Sequence, residues 1–497
     1  MRHLNSVRTQ VLTHTQQIEA VFSSPALFRL AAEVEMRQPV GRPQHHPAWA
    51  LLAYGVLARV FRSGAKVEVE LAQPQTWQQI LVVVDRMRAL HPDLDIPAAG
   101  RQAPDWPAWK HARNKYFTDP AVLAQLQQRF TELAVEQARS LGLLDPAGPG
   151  SLCHPDRSGV VYGDGTVIRP MYRPPTATRS TDPATGDTKI AYRDAAGNAI
   201  PKPTRRYDPD AADYHGHTGS VHGQNYVALY ARGDLPHQRV VLAVARVDRP
   251  GREADTAVTA IKALHTVAAG GIQAVVYDGA MRGKHIDDLM STCGVVVINK
   301  VHASAKTAAR NGKTKPARWF TLGLWEHEGE NGQACTHQLA AVDGAIHEVA
   351  LDEQGRPAIV HRLARKQVKR PRRASGRFHF NVAYEVPCAT GAFLAWVTPH
   401  GEAGDPDHRR ADAVRVIAEG DADFARLYGV RNDAEAFNSA LKRTLLVNRA
   451  MSLGGARQLL DVLAYGLLNN AIAAHHAATA KPTRQSGRIP DELPLAA

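Results

Sequence analysis

Residues 272–300 read IQAVVYDGAMRGKHIDDLMSTCGVVVINK, and the fold class turns on this stretch. An apolar run ends at Asp278-Gly279, residues 283–293 carry helical spacing, and VVVINK (295–300) is apolar again. Strand, helix, strand in that order implies a crossover between parallel neighbours. Upstream, EADTAVTAIKALHTVA (253–268) reads as a helix. RVVLAVARVD (239–248), NYVALYAR (225–232) and VVYGDGT (160–166) read as strands. Three strands, helix, strand, helix, strand predicts an α/β mixed sheet flanked by helices, antiparallel first and crossing over later.

The flanks differ in character. Residues 1–145 read as helical, with AWALLAYGVLARVF after Pro47 and WQQILVVVDRMRAL after Pro74. Two helices across a short Gly-containing turn would make a helix-turn-helix, though most such pairs are bundle packing. A Pro/Gly-rich linker at 144–158 leads into the first core segment, 146–300. A polar insert at about 170–222 predicts a flap or local disorder. Short strand signals fill 301–415 as a β-rich insertion. Helices return over 416–480, and 481–497 reads as a disordered tail.

The chain has 497 residues, 44% of them hydrophobic, which suffices for two to four domains. Its formal net charge is +12, with a sequence pI near 9.6. That excess points toward a polyanion such as nucleic acid, although a basic soluble enzyme would also show it. Cys153, Cys293, Cys335 and Cys388 are scattered, which disfavours a zinc knuckle or disulfide framework. There is no apolar signal-peptide core and no run long enough for a bilayer, so a cytoplasmic protein without membrane association is expected.

Two aspartates, Asp164 and Asp278, are expected at strand ends, each followed by Gly. Open α/β sheets place ligands at that rim, but Asp-Gly is also a common turn pair. The segment YGVRNDAEAFNSALKR then sets Tyr428, Arg431, Glu435 and Lys442 within a sector of roughly 60° of one continuous helix. Val430, Phe437 and Leu441 fall opposite and are expected to be buried. Two cations flanking a carboxylate over about 21 Å could follow a phosphate backbone.

The pattern Tyr-x2-Arg-x3-Glu-x6-Lys resembles the signature of a group of bacterial insertion-sequence DDE transposases. The resemblance covers about 160–470. It implies a ribonuclease H-like core carrying a β-rich insertion between the second Asp and the Glu. The N-terminal helical residues 1–145 lie before the resemblance, and DNA-end binding is expected of them from the chain's basic charge. Asp164, Asp278 and Glu435 would then be both catalytic and metal-binding, holding two Mg²⁺ ions, with Mn²⁺ as a substitute. Hard oxygen ligands suit those ions. Tyr428, Arg431 and Lys442 would hold DNA phosphates. The implied partners are double-stranded DNA, as terminal inverted repeats and target, and a second copy of the chain in the active dimer. A related nuclease without strand transfer, or a DNA-binding repressor derived from a transposase, remains the alternative.

Other signals are weaker. RLARKQVKRPRRASGR (362–377) places Arg362, Arg365, Lys366, Lys369, Arg370, Arg372, Arg373 and Arg377 in one basic run suited to phosphate contact. Trp319, Trp325 and Trp396 are candidates for stacking on a base, or for core packing. His215, His217 and His222 lack an evident fourth zinc ligand. Asp287 and Asp288 are expected to cap or solvate a helix, and Lys300 to lie on the surface.

Overall fold

The computed structural model describes residues 11–36, 45–181, 185, 188–194, 196–201, 206–216, 219–235, 237–301, 319–329, 332–401 and 409–480. His217 and the 481–497 tail lie outside the described residues. Helices come first: α1 (His14–Phe22), α2 (Pro25–Ala31), α3 (Ala48–Val60), α4 (Gly64–Leu71), α5 (Pro74–Leu90), α6 (Trp106–Ala112) and α7 (Pro120–Ser140). Their starts are written locally. Thr13 and Gln16 form a capping box on α1, and Asp105 and Asp119 accept N–H bonds at α6 and α7. Pro opens α2, α5 and α7, where its missing N–H costs nothing.

The two apolar stretches near 48 and 74 do not meet across one short turn, because α4 stands between them. Gly64 begins α4 where the Trp106 ring fills the position a Cβ would take. The Tyr54 hydroxyl donates to the Gly64 carbonyl at 2.6 Å. α3 is buried nearly all round, from Trp49 to Ala58, so it is a core helix and offers no free face.

β1 (Val160–Pro170) opens the central sheet. Part of the polar insert is ordered: β2 (Thr176–Thr181), β3 (Thr188–Arg193) and β4 (Ala199–Ile200) form a small antiparallel sheet. β5 (Ala212–Gly216) turns into β6 (Gly219–Arg232), and β7 (Arg239–Arg246) follows. Then come α8 (Glu253–Ala268), β8 (Ala274–Val276), α9 (Gly283–Cys293) and β9 (Val296–Ile298). Across the sheet the order is β7, β6, β1, β8, β9, and β5 extends the early half of β6. β6 is antiparallel to β1 and β7, while β8 and β9 run parallel to β1. The chain is therefore mixed α/β, a curled mixed sheet flanked by helices.

Two further antiparallel sheets follow. One comprises β10 (Trp319–Glu328), β11 (Ala334–Val342), β12 (Ala345–Leu351) and β13 (Pro357–Arg362). The other comprises β14 (Ala364–Lys369), β15 (Asn381–Val386) and β16 (Phe393–Val397). Most of the first half of the basic run at 362–377 thus lies in the edge strand β14. The chain ends in α10 (Arg409–Ala413), α11 (Ala422–Tyr428), α12 (Asn432–Arg443), the short β17 (Arg449–Ala450) beside β1, and α13 (Gly455–Thr479).

Each face of the central sheet is covered. On one side α1 to α7 and α13 share an apolar core with Tyr226, Ala228, Val241 and Val244. On the other, α8, α9 and α11 pack with Val227, Leu229, Val275 and Val297, together with residues of the two later sheets. The alternation along β6 follows the period of two of a strand buried on both faces. Among the described residues, no helix is long and apolar enough to cross a membrane.

Two local expectations are corrected. β1 does not end at Asp164; it runs on to Pro170, and Asp164 pairs with Ala228 in mid-strand. Nor is Tyr428–Lys442 one helix: α11 stops at Tyr428, a 3-10 turn spans Gly429–Arg431, and α12 begins at Asn432. The break separates burial environments. Phe424 and Leu427 join one core, while Phe437 and Leu441 join the other.

Candidate catalytic site

The parallel pairing of β1 and β8 ends at Tyr162 with Val276. Two residues further on each chain stand Asp164 and Asp278. Burial pushes the Asp164 carboxyl up to about 6; Arg431 opposes this, and the nearby charge of Asp278 adds to it. Asp278 follows β8 and accepts an N–H bond from Ala280 at 2.9 Å. The Asn299 amide ties down the next turn, donating to the Met281 carbonyl at 2.9 Å.

Arg431, at the entry to α12, and Asn438 within it hold Asp164. Arg431 Nη2 donates to one carboxylate oxygen at 3.1 Å, and Asn438 Nδ2 donates to the other at 2.9 Å. The helix is fixed from behind by stacked rings. The Tyr162 ring lies 5.7 Å from Tyr230, Tyr230 lies 6.3 Å from Phe437, and Phe437 meets Tyr465 of α13 at 5.2 Å. Burying a side chain like Phe437 contributes on the order of 2–3 kcal/mol, so α12 is firmly seated.

Glu435 lies between these two contacts, one turn after Arg431 and three residues before Asn438, but its side chain is exposed. It lines a groove with Thr166, Arg169, Asn438, Lys442 and Arg443. Burial, followed by Arg169, lowers the Lys442 pKa. Among the described residues, no three His, Cys, Asp or Glu side chains form a ready metal shell. Tyr428 stacks on Phe424 at 4.7 Å and lies under both Lys300 and Arg431. Lys300 also pairs with Glu419 at 3.6 Å.

Sequence reasoning misses two participants. Glu253, in the first turn of α8, is half-buried; that burial raises its pKa, opposed by Asn225, and Asp278 and Asp164 raise it further. Asn225 Nδ2 donates to it at 2.6 Å, and the Tyr277 hydroxyl at 3.4 Å. An acid opening a helix reads as dipole stabilisation, so the only signal is its position directly after the third strand. The other is Asn438, which shares the helical face of Arg431 and Glu435.

The remaining candidates fall elsewhere. Arg365 is engaged inside the chain, with its guanidinium 3.0 Å from Asp421 and 3.2 Å from Asp423. Arg362 also bonds Asp421, and Lys366 pairs with Glu385 at 2.7 Å. Lys369 lies over the Trp396 ring at 4.4 Å. Arg370 and Arg372 flank Phe378, Arg372 and Arg373 are exposed, and Arg377 bonds Ser291. Trp319 is 40% and Trp396 37% exposed, whereas Trp325 packs on the core. His222 bonds Asp213 at 3.3 Å, and His215 is exposed. Asp287 and Asp288 do not merely solvate α9: they bond His400 and Lys262, each at 2.7 Å.

No family model matches the chain, and no curated protein matches it.

Proposed function

We propose that the chain is a DDE-type DNA transposase that cleaves transposon ends and joins them to target DNA. The carrying observation is the placement of Asp164 and Asp278 on adjacent parallel elements, with Arg431 and Asn438 clamped on Asp164. The sheet order β7-β6-β1-β8-β9, with β6 antiparallel, supports a ribonuclease H-like reading of the core. The β-rich block between Asp278 and Glu435 supports the same reading.

The acidic pocket suits a divalent cation. The charge of Asp278 raises the pKa of both Asp164 and Glu253, and Arg431 is the cation bonded to Asp164. Asp164 and Asp278 would hold Mg²⁺ or Mn²⁺, with Glu435 turning in from the groove. Such ions lower the pKa of water and stabilise charge on phosphate oxygens.

The chain's own residues do the rest. Asn225 and Tyr277 orient Glu253 behind the pair. Arg431 fixes Asp164, and Lys442, Arg169 and Arg443 line the groove where a phosphate backbone would run. The 3′-hydroxyl left by the first cleavage would attack target phosphate in the same groove. Exposed Arg372 and Arg373, with Lys369 beside Trp396, offer further phosphate contacts.

The test is an in vitro assay with DNA carrying the inverted repeats that flank the gene, with and without Mg²⁺. Cleaved and joined products are expected, and Asp164→Ala, Asp278→Ala and Glu435→Ala should each abolish both. Cleavage without joining would favour a nuclease. Unchanged activity in any of the three variants would sink the reading.

A further inference from the structure

Two cysteines far apart in sequence meet in the β-rich block. Cys335 is the second residue of β11, and Cys388 lies in the turn between β15 and β16. Their sulfurs share one hydroxyl: Thr390 Oγ1 is 3.1 Å from Cys388 Sγ and 3.6 Å from Cys335 Sγ. Both residues are half-buried, so a small reagent can reach them. His337, two residues along β11, points at the same place. Its Nδ1 bonds Glu348 at 2.7 Å, while its Nε2 is buried with no hydrogen-bond partner. Glu348 also meets His361 at 3.0 Å.

We propose that Cys388 and Cys335 form a peroxide-reactive dithiol, with Cys388 as the attacking sulfur and Cys335 as the resolving one. The surroundings favour the anion on Cys388. The Thr390 hydroxyl and backbone N–H, then Cys335 and His337, bring its thiol down to about 6 against the effect of burial. Although burial opposes it, Glu348 and then Cys388 raise the pKa of His337, which favours the charged ring beside the sulfur. Cys293 lacks this setting: it is buried, and burial raises its pKa.

The chemistry balances with a hydroperoxide as oxidant. The Cys388 thiolate attacks the peroxide oxygen, the O–O bond breaks, and hydroxide or alkoxide leaves, giving a sulfenic acid. The Cys335 thiolate then attacks that sulfur and displaces hydroxide, which takes up a proton as water. Two electrons pass from the sulfur pair to the peroxide, and the disulfide formed ties β11 to the β15–β16 turn. A thiol reductant reverses it.

The test treats the reduced full-length chain with stoichiometric hydrogen peroxide at pH 7, followed by non-reducing peptide mapping. A Cys335–Cys388 link should form at least about tenfold faster than oxidation of Cys153 or Cys293 and vanish with dithiothreitol. Cys335→Ser should leave a Cys388 sulfenic acid that dimedone traps. Thr390→Val should slow the reaction at pH 7 and approach the wild-type rate at pH 9, a pH dependence that a purely packing role would not give. Uniform oxidation of all four cysteines, or a Thr390→Val rate equal to wild type at pH 7, would overturn the proposal.

Discussion

The carboxylate of Glu253 occupies the place a side chain at Gly165 would take: a Cβ there would collide with the carboxyl carbon and both its oxygens. Gly165 therefore serves close approach and not a turn, since β1 continues through it. Gly165→Ala should force the carboxylate off Asn225 and cost about 1–3 kcal/mol. Glu253→Ala in the same chain should recover much of that destabilisation, a non-additivity readable in a urea double-mutant cycle. Simple additivity would show the close approach to be unimportant.

Asp164 carries charge at a cost. Its folded-state pKa, about 6, lies above the ordinary 3.8, so the protonated form is favoured in the fold. Above pH 6 this acid destabilises the apo protein, and the penalty fades as pH falls toward 4, where the unfolded chain is protonated too. Asp164→Asn should abolish DNA cleavage yet raise stability in chelator at pH 8 by on the order of 1–3 kcal/mol. With its amide flipped, Asn438 can turn Oδ1, which has no partner, toward the new amide N–H in place of the Nδ2 that now donates to Asp164. A lower melting temperature for this variant at pH 8 would contradict the account.

Asp255 works in the opposite direction. The Arg252 hydrogen bond first, then His285 and Lys284, hold its carboxyl well below the usual carboxylate range against slight burial. The stability it supplies is present above the ordinary carboxylate pKa and fades as pH falls below about 4. Its side chain is 35% exposed, so solvent screening limits the gain to about 0.5–1 kcal/mol. Asp255→Asn should lower the melting temperature more at pH 7 than at pH 2.

Phe437 anchors α12 between Tyr230 and Tyr465. Phe437→Ala should cost about 3–5 kcal/mol and loosen Asn438 from Asp164. Denaturant titration gives the first quantity, and a fall in cleavage rate at full occupancy the second. A fully stable variant would remove the ring stack from the argument.

The basic run divides into structural and exposed cations. Arg365→Ala should lower stability, because Asp421 and Asp423 lose a partner whose side chain is only 8% exposed. Arg372→Ala and Arg373→Ala should leave stability unchanged and reduce the salt slope of DNA binding by about 0.9 for each phosphate that is no longer neutralised. Equal melting shifts in all three variants would refute this division.

The alternation along β6, the Asp-Gly pairs, the amphipathic pattern of 432–443 and the strand-rich block at 319–397 are legible in the sequence. Each depends on neighbours within a few residues, where helix and strand periods act. Local pattern alone makes Asp164 a strand end, Tyr428–Lys442 one helix, and α3 and α5 a close pair. It passes over Glu253 and Asn438, and it scatters the four cysteines. Interactions between distant segments decide those points: the Glu253 carboxylate over Gly165, Trp106 against Gly64, Arg431 and Asn438 on Asp164, and Thr390 between two sulfurs. The sequence by itself determined which segments become strands and helices, and which face of each is apolar. Only the tertiary structure decided which side chains meet, because burial and charge act through space and not along the chain.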